Sequence, residues 1–132
     1  MSVVFTNGCF DILHRGHVLL LKHCREKYPA ARVVVGINSD ESVRRLKGES
    51  RPINCQEDRK LLLESIKYVD EVFVFDEDTP YNLIVKINPN VIVKGGDYSA
   101  SEVVGNDICH VEIFNYVEGY STTKTLQDIS IR

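Results

Sequence analysis

His14 and His17, separated by Arg15 and Gly16, are the residues of this 132-residue chain best suited to chemistry. Two imidazoles three positions apart can both donate to oxyanions near neutral pH, and a glycine between them lets a phosphate approach the backbone. They close the stretch Thr6-Asn7-Gly8-Cys9-Phe10-Asp11-Ile12-Leu13-His14-Arg15-Gly16-His17, which lies between the apolar runs Val3-Val4-Phe5 and Val18-Leu19-Leu20-Leu21. Those runs predict a buried first strand, a tight turn and a first helix. Such a helix opening aims unpaired N–H groups and the positive end of the helix dipole at one spot, which suits a polyanion. His14 and His17 could then act as phosphate donors, stabilising the charge that builds during phosphoryl transfer. His17 also lines up with Leu21 and Cys24, the place of a core histidine; Gly16 and His14 beside it favour the phosphate role. His23 and His110 have no such setting and read as surface or packing residues.

Two further stretches offer phosphate or nucleoside contacts. Lys94-Gly95-Gly96-Asp97-Tyr98 follows the apolar Val91-Ile92-Val93, and Glu118-Gly119-Tyr120-Ser121-Thr122-Thr123-Lys124 follows Val111-Glu112-Ile113-Phe114. Gly95, Gly96 and Gly119 leave room for a flat base against backbone, and Asp97 could orient a sugar hydroxyl or fix its own loop. Ser121, Thr122 and Thr123 at a helix start make a second phosphate cradle, although an ordinary serine cap has the same look. Lys47 opens Lys47-Gly48-Glu49-Ser50-Arg51-Pro52, a polar segment that should be mobile and could close a long cation over phosphate.

The elements that must position these residues follow from periodicity. His17, Leu20, Leu21, Cys24 and Tyr28 mark one face of the first helix, which ends before Pro29. Arg32 to Ile37 is a β-branched run without helical period, a candidate central parallel strand. Asn38, Ser39 and Asp40 cap a short second helix through Val43 and Leu46. Asn54 with Glu57 resembles a capping box for a third helix, Gln56 to Lys67, with Leu62, Leu63 and Ile66 inward. Val72 to Phe75 is the third strand. Thr79 before Pro80 caps a fourth helix that runs to about Ile87 and is broken by Asn88-Pro89-Asn90. The order β-α-β-α-α-β-α-β-β-α predicts a single α/β domain over residues 1–132: a Rossmann-like open parallel sheet of about five strands with helices on both faces. Ligands of such sheets bind beyond the carboxyl ends of the strands, where strand order reverses. All three stretches fall there.

Composition sets the bounds. The chain is 43% hydrophobic and 27% charged, with a net charge of −3, so it has no basic surplus for bulk nucleic-acid binding. Apolar runs are too short to cross a membrane, and the start, Met1-Ser2-Val3-Val4, has no signal-like region, which predicts a cytoplasmic protein. Cys9, Cys24, Cys55 and Cys109 are scattered and suggest neither a zinc site nor a disulfide framework.

The phrase from Asn7 to His17, with His-x-Gly-His after Gly-x-Phe-Asp, resembles the signature of the cytidylyltransferase-like nucleotidyltransferases. The segments ending at Asn54, Tyr98 and Thr123 match in order and are similar to the adenylyltransferase domain of bacterial heptose-phosphate synthesis. Glycerol-3-phosphate cytidylyltransferase is also similar, but it carries arginine where this chain has Tyr116. The resemblance implies transfer of a nucleotidyl group from a nucleoside triphosphate to a phosphorylated sugar or polyol: first AMP from ATP to a sugar 1-phosphate, a heptose 1-phosphate, with CTP and glycerol 3-phosphate as the alternative. It implies in-line attack, Mg2+ held mainly by the triphosphate with no protein metal site, and a homodimer. By the same resemblance His14, His17, Lys47 and Arg59 are catalytic. Gly8, Cys9, Phe10, Asp11, Gly16, Lys94, Gly95, Asp97, Glu118, Gly119, Ser121, Thr122 and Thr123 then bind nucleotide. A non-catalytic nucleotide-binding module is the reading from another class. Its mark would be loss of His14, His17 or Lys47, and all three are present.

Overall fold

β-Branched residues decide the centre of the molecule. Their stiffness at χ1 disfavours a helix and suits a pleated, buried surface. Val33, Val34 and Val35 accordingly lie in a strand that is covered on both faces. The computed structural model describes residues 2–96 and 98–115. In chain order the elements are β1 (Val3–Gly8), α1 (Arg15–Lys27), β2 (Arg32–Asn38), α2 (Asp40–Lys47), α3 (Gln56–Glu64), β3 (Glu71–Phe75), α4 (Tyr81–Ile87), β4 (Val91–Gly95), a 3-10 turn (Ala100–Glu102) and β5 (His110–Phe114). The expected C-terminal helix, together with Asp97, Glu118, Gly119, Ser121, Thr122 and Thr123, lies outside the described residues.

The strands form one parallel sheet in the order β3-β2-β1-β4-β5. The chain builds outward from β1 through β2 to β3, then returns to the other side of β1 for β4 and β5. Strand order therefore reverses between β1 and β4. Pairing there is confined to Val4↔Val91 and Phe5↔Ile92, whereas β1 and β2 stay in register from Val3↔Arg32 to Gly8↔Ile37. A crevice opens where β1 and β4 part.

Alternation along the strands divides the core. Val4, Val33, Val35, Ile37, Val91 and Val93 face Leu20, Leu21 and Cys24 of α1 and Leu63 of α3. Phe5, Val34, Ile92 and Val111 face Ile84 of α4 and Val103. Helices thus cover both faces, as expected for a sheet with right-handed parallel crossovers. Leu21 and Ile84 are fully enclosed, and each such side chain contributes about 1.5–3 kcal/mol relative to exposure. Two glycines are required by this packing. A Cβ on Gly36 would lie 2.8 Å from the Phe5 ring, and one on Gly105 2.6 Å from Ile92, where φ is also +98°.

Several boundaries differ from expectation. Asn54 does not cap α3: Cys55 holds the cap position without a side-chain bond, and the Asn54 amide donates to the Asp11 carbonyl. Pro80, not Thr79, precedes α4, and α3 stops at Glu64, short of Lys67. The end of α3 is closed by local bonds, the Ser65 N–H and hydroxyl both donating to the Leu61 carbonyl. Lys94 and Gly95 belong to β4 itself. Among the described residues no helix is long and apolar enough to cross a membrane.

Candidate functional site

A cavity of about 570 Å³ occupies the crevice between β1 and β4. Its floor is the carboxyl end of β1, Asn7-Gly8, with Cys9 and Phe10 of the turn. The opening of α1 supplies His14, Gly16 and His17, and the sheet beyond supplies Lys94, Gly95, Gly96, Tyr98, Phe114 and Asn115. Two of the three stretches singled out in the sequence therefore meet at one rim; the third lies outside the described residues.

The histidines are held by the helix they open. His14 is the N-cap of α1, and its Nδ1 accepts from the Gly16 N–H at 3.0 Å. Three residues on, His17 Nδ1 accepts from the His14 N–H at 3.3 Å. The pair is a capping box built from two imidazoles. With both Nδ1 atoms accepting, the neutral rings carry their proton on Nε2. The rings stack, with centroids 3.8 Å apart. Burial, and secondly the neighbouring His14, pulls the His17 pKa down to about 4, and burial lowers that of His14. At neutral pH the site therefore presents two uncharged N–H donors at a helix N-terminus, where anionic phosphate is favoured.

The turn before the helix is strained. Phe10 is buried with φ of +48°, a region that bulky residues rarely adopt. Its ring lies 5.0 Å from that of His17, and a Cβ on Gly8 would sit 3.3 Å from it. Gly8 and Phe10 thus form one wall, and no pattern in the sequence signals the left-handed phenylalanine. Lys94 bridges the crevice opposite, its Nζ 3.3 Å from both the Asn7 carbonyl and Oδ1. Burial lowers its pKa, and Lys47 acts in the same direction. The Tyr98 ring lies 5.6 Å from that ammonium. Gly96, with φ of +116°, donates to the Phe114 carbonyl at 3.1 Å and so ties the ends of β4 and β5.

Three expected site residues stand elsewhere. Arg59 is 1% exposed and does not reach the cavity. Its guanidinium donates to the carbonyls of Asn54, Cys9 and Asn38 and to Asp40 Oδ1. An arginine so occupied braces the turn rather than gripping a phosphate. Asp11 is likewise 1% exposed. Its carboxylate accepts from the Ile53 and Asn54 N–H groups and from Arg51 Nε. That clasp anchors the far end of the segment expected to be mobile. Lys47 is the last residue of α2, exposed and outside the cavity lining. Its charge is nonetheless felt at Cys9, where burial raises the thiol pKa and Lys47, Arg59, Lys94 and Arg51 pull it down. Phe114 and Asn115 line the cavity without having been singled out, and Asn7 and Tyr98 line it as members of singled-out stretches that were given no role of their own. Their only sequence signal is a place at or just past the end of a strand. Among the described residues no three His, Cys, Asp or Glu side chains converge as a metal site would require.

Residues 5–126 match the model of the cytidylyltransferase-like family. The chain is a cytidylyltransferase-like nucleotidyltransferase. This nucleotidyltransferase is 58% identical to the bifunctional protein HldE of Campylobacter concisus over 97% of its own length and 27% of that protein. It is 56% identical to the bifunctional protein HldE of Wolinella succinogenes over the same shares. The chain thus spans about a quarter of the length of these curated relatives. Among solved structures, a lipopolysaccharide core biosynthesis protein from Thermoplasma volcanium superposes with a TM-score of 0.72 at 27% identity, covering 92% of this chain and 99% of that one.

Proposed function

We propose that this domain transfers AMP from ATP to a sugar 1-phosphate, specifically a heptose 1-phosphate, and releases pyrophosphate. The observation that carries this reading is the stacked pair His14 and His17, facing the same cavity as Lys94 across the point where strand order reverses. Two neutral donors and a helix N-terminus suit a triphosphate, and the lysine adds a cation on the opposite side. The heptose acceptor is supported by the segment Lys94 to Tyr98, by Tyr116 where the glycerol-phosphate enzymes carry arginine, and by the similarity to the HldE proteins.

In the step itself a phosphate oxygen of the acceptor attacks the α-phosphorus, a new P–O bond forms, and the bond to the bridging oxygen breaks. The electron pair leaves with pyrophosphate, and the Nε2–H groups of His14 and His17 hold the oxygens on which charge grows. Donors held before the reaction need no reorganisation during it, which is where their catalytic value lies. Among the described residues the cavity lining includes two imidazoles and a lysine and no carboxylate. Mg2+ would be held mainly by the triphosphate and would supply charge neutralisation there.

The test is pyrophosphate release over a grid of four nucleoside triphosphates and several phosphate esters, among them heptose 1-phosphate and glycerol 3-phosphate. Turnover with ATP and heptose 1-phosphate is expected. Product from CTP alone would replace the adenylyl assignment, and silence with every pair would leave a nucleotide-binding module.

A further inference from the structure

Glu112 on β5 gathers a cluster outside the cavity. Its carboxylate, 14% exposed, meets His23 Nε2 at 2.5 Å, Lys27 Nζ at 2.5 Å and the Tyr28 hydroxyl at 2.8 Å. All three donors come from α1 and the residue that caps its end. Their bonds hold Glu112 ionised, with its pKa lowered to about 2 against the opposing effect of burial. Because strand side chains alternate, Glu112 and Phe114 share the α1 face of the sheet while Val111 and Ile113 pack on the other. Phe114 meets the same histidine from above. Its ring lies 4.7 Å from that of His23 at a 34° tilt.

β5 is the outermost strand among the described residues, paired only with β4. Its last residue, Phe114, lies opposite Gly95 in that pairing and lines the cavity beside Asn115. The cluster therefore links an edge strand, whose end forms the cavity wall, to the helix that presents His14 and His17. We propose that Glu112 and His23 are positioning residues: the carboxylate fixes the imidazole, and the imidazole fixes the Phe114 ring against which the nucleoside triphosphate is seated. The proposal rests on the nucleotidyltransferase reading for its substrate, but the coupling of Glu112 to Phe114 is a property of the fold and can be measured apart.

Two variants divide the link. His23→Gln keeps a donor for Glu112 and removes the ring; Glu112→Gln keeps the volume and removes the charge that orders His23. Each should raise KM for the nucleoside triphosphate about three- to tenfold with kcat within about twofold, the pattern of lost binding that is uniform along the reaction. Lys27→Met is the control. It removes a donor to Glu112 Oε1 and keeps both the His23 bond to Oε2 and the ring on Phe114, so KM should stay within about twofold. If Lys27→Met raises KM as much as the others, or if neither of the first two raises it, the proposal is overturned. A second readout does not depend on turnover. In protein labelled with 4-fluorophenylalanine, the Phe114 resonance, assigned with Phe114→Leu, should shift in His23→Gln and Glu112→Gln but not in Lys27→Met. An unmoved resonance overturns the coupling even in an active enzyme. A wild-type protein inactive with every substrate pair but showing the expected shifts would instead remove the function proposed above and leave the coupling standing.

Discussion

Around the end of β1 two sets of polar side chains gather from different elements, and their atoms are used differently. Asp11 and Arg59 are buried and bonded to protein on all sides, to backbone N–H groups, carbonyls and each other's neighbours. His14, His17 and Lys94 line a cavity, and the histidines spend their Nδ1 atoms on the helix while their protons sit on Nε2. All five residues were expected at the nucleotide site, Arg59 and Asp11 on the family resemblance. What separates them is occupancy. A charged group whose bonds are already satisfied by the chain is scaffold, and breaking it costs folding energy; a donor that borders solvent-accessible space costs catalysis.

The comparison can be broken most forcefully at Arg59. Arg59→Met should lower stability by about 2–4 kcal/mol, because the Cys9 and Asn38 carbonyls lose their donor, at about 1–3 kcal/mol for each buried group left unsatisfied. Urea unfolding would measure it. A variant of near-native stability that has lost turnover would return Arg59 to the phosphate. Next in size is His17→Ala, which should reduce kcat by about 10²–10³-fold, the range for deleting one transition-state donor, while the fold survives. Unfolding of that variant would expose a packing role.

Asp11→Asn sharpens the scaffold side. The amide nitrogen would face backbone donors, and leaving them unsatisfied should cost about 1–3 kcal/mol. Heat or urea unfolding reads the loss, and a drop in kcat at unchanged stability would place Asp11 on the substrate after all. The smallest effect is a pH dependence. His17 binds its proton near 6.5 when unfolded and near 4 when folded. The unfolded state therefore holds more protons between those values, so this stability is complete above about 6.5 and is lost as pH falls toward about 4. With partial exposure of the ring allowed for, roughly 1–2 kcal/mol is at stake. His17→Ala should flatten that slope between pH 6.5 and 4, and an unchanged slope would show that other groups carry it.

Much of this was open to reading from residues in a row. The β-branched runs, the one-face spacing of Leu20, Leu21 and Cys24, and the turn chemistry at Asn88 determined strands, helices and their order, because burial and backbone preference act locally and repeat at fixed periods. The same local physics placed His14 and Gly16 at a helix opening and Lys94 at the end of a strand. Bonding partners distant in sequence were beyond it. Arg59 reaches Cys9 and Asn38 across 50 and 21 positions, and Asp11 reaches Asn54 across 43. A charged side chain looks the same in sequence whether it will meet a phosphate or a carbonyl. Only the folded chain chose, because desolvation leaves a buried charge no tolerable state without a partner, and which partners stand within reach is set by how the sheet brings its strand ends together.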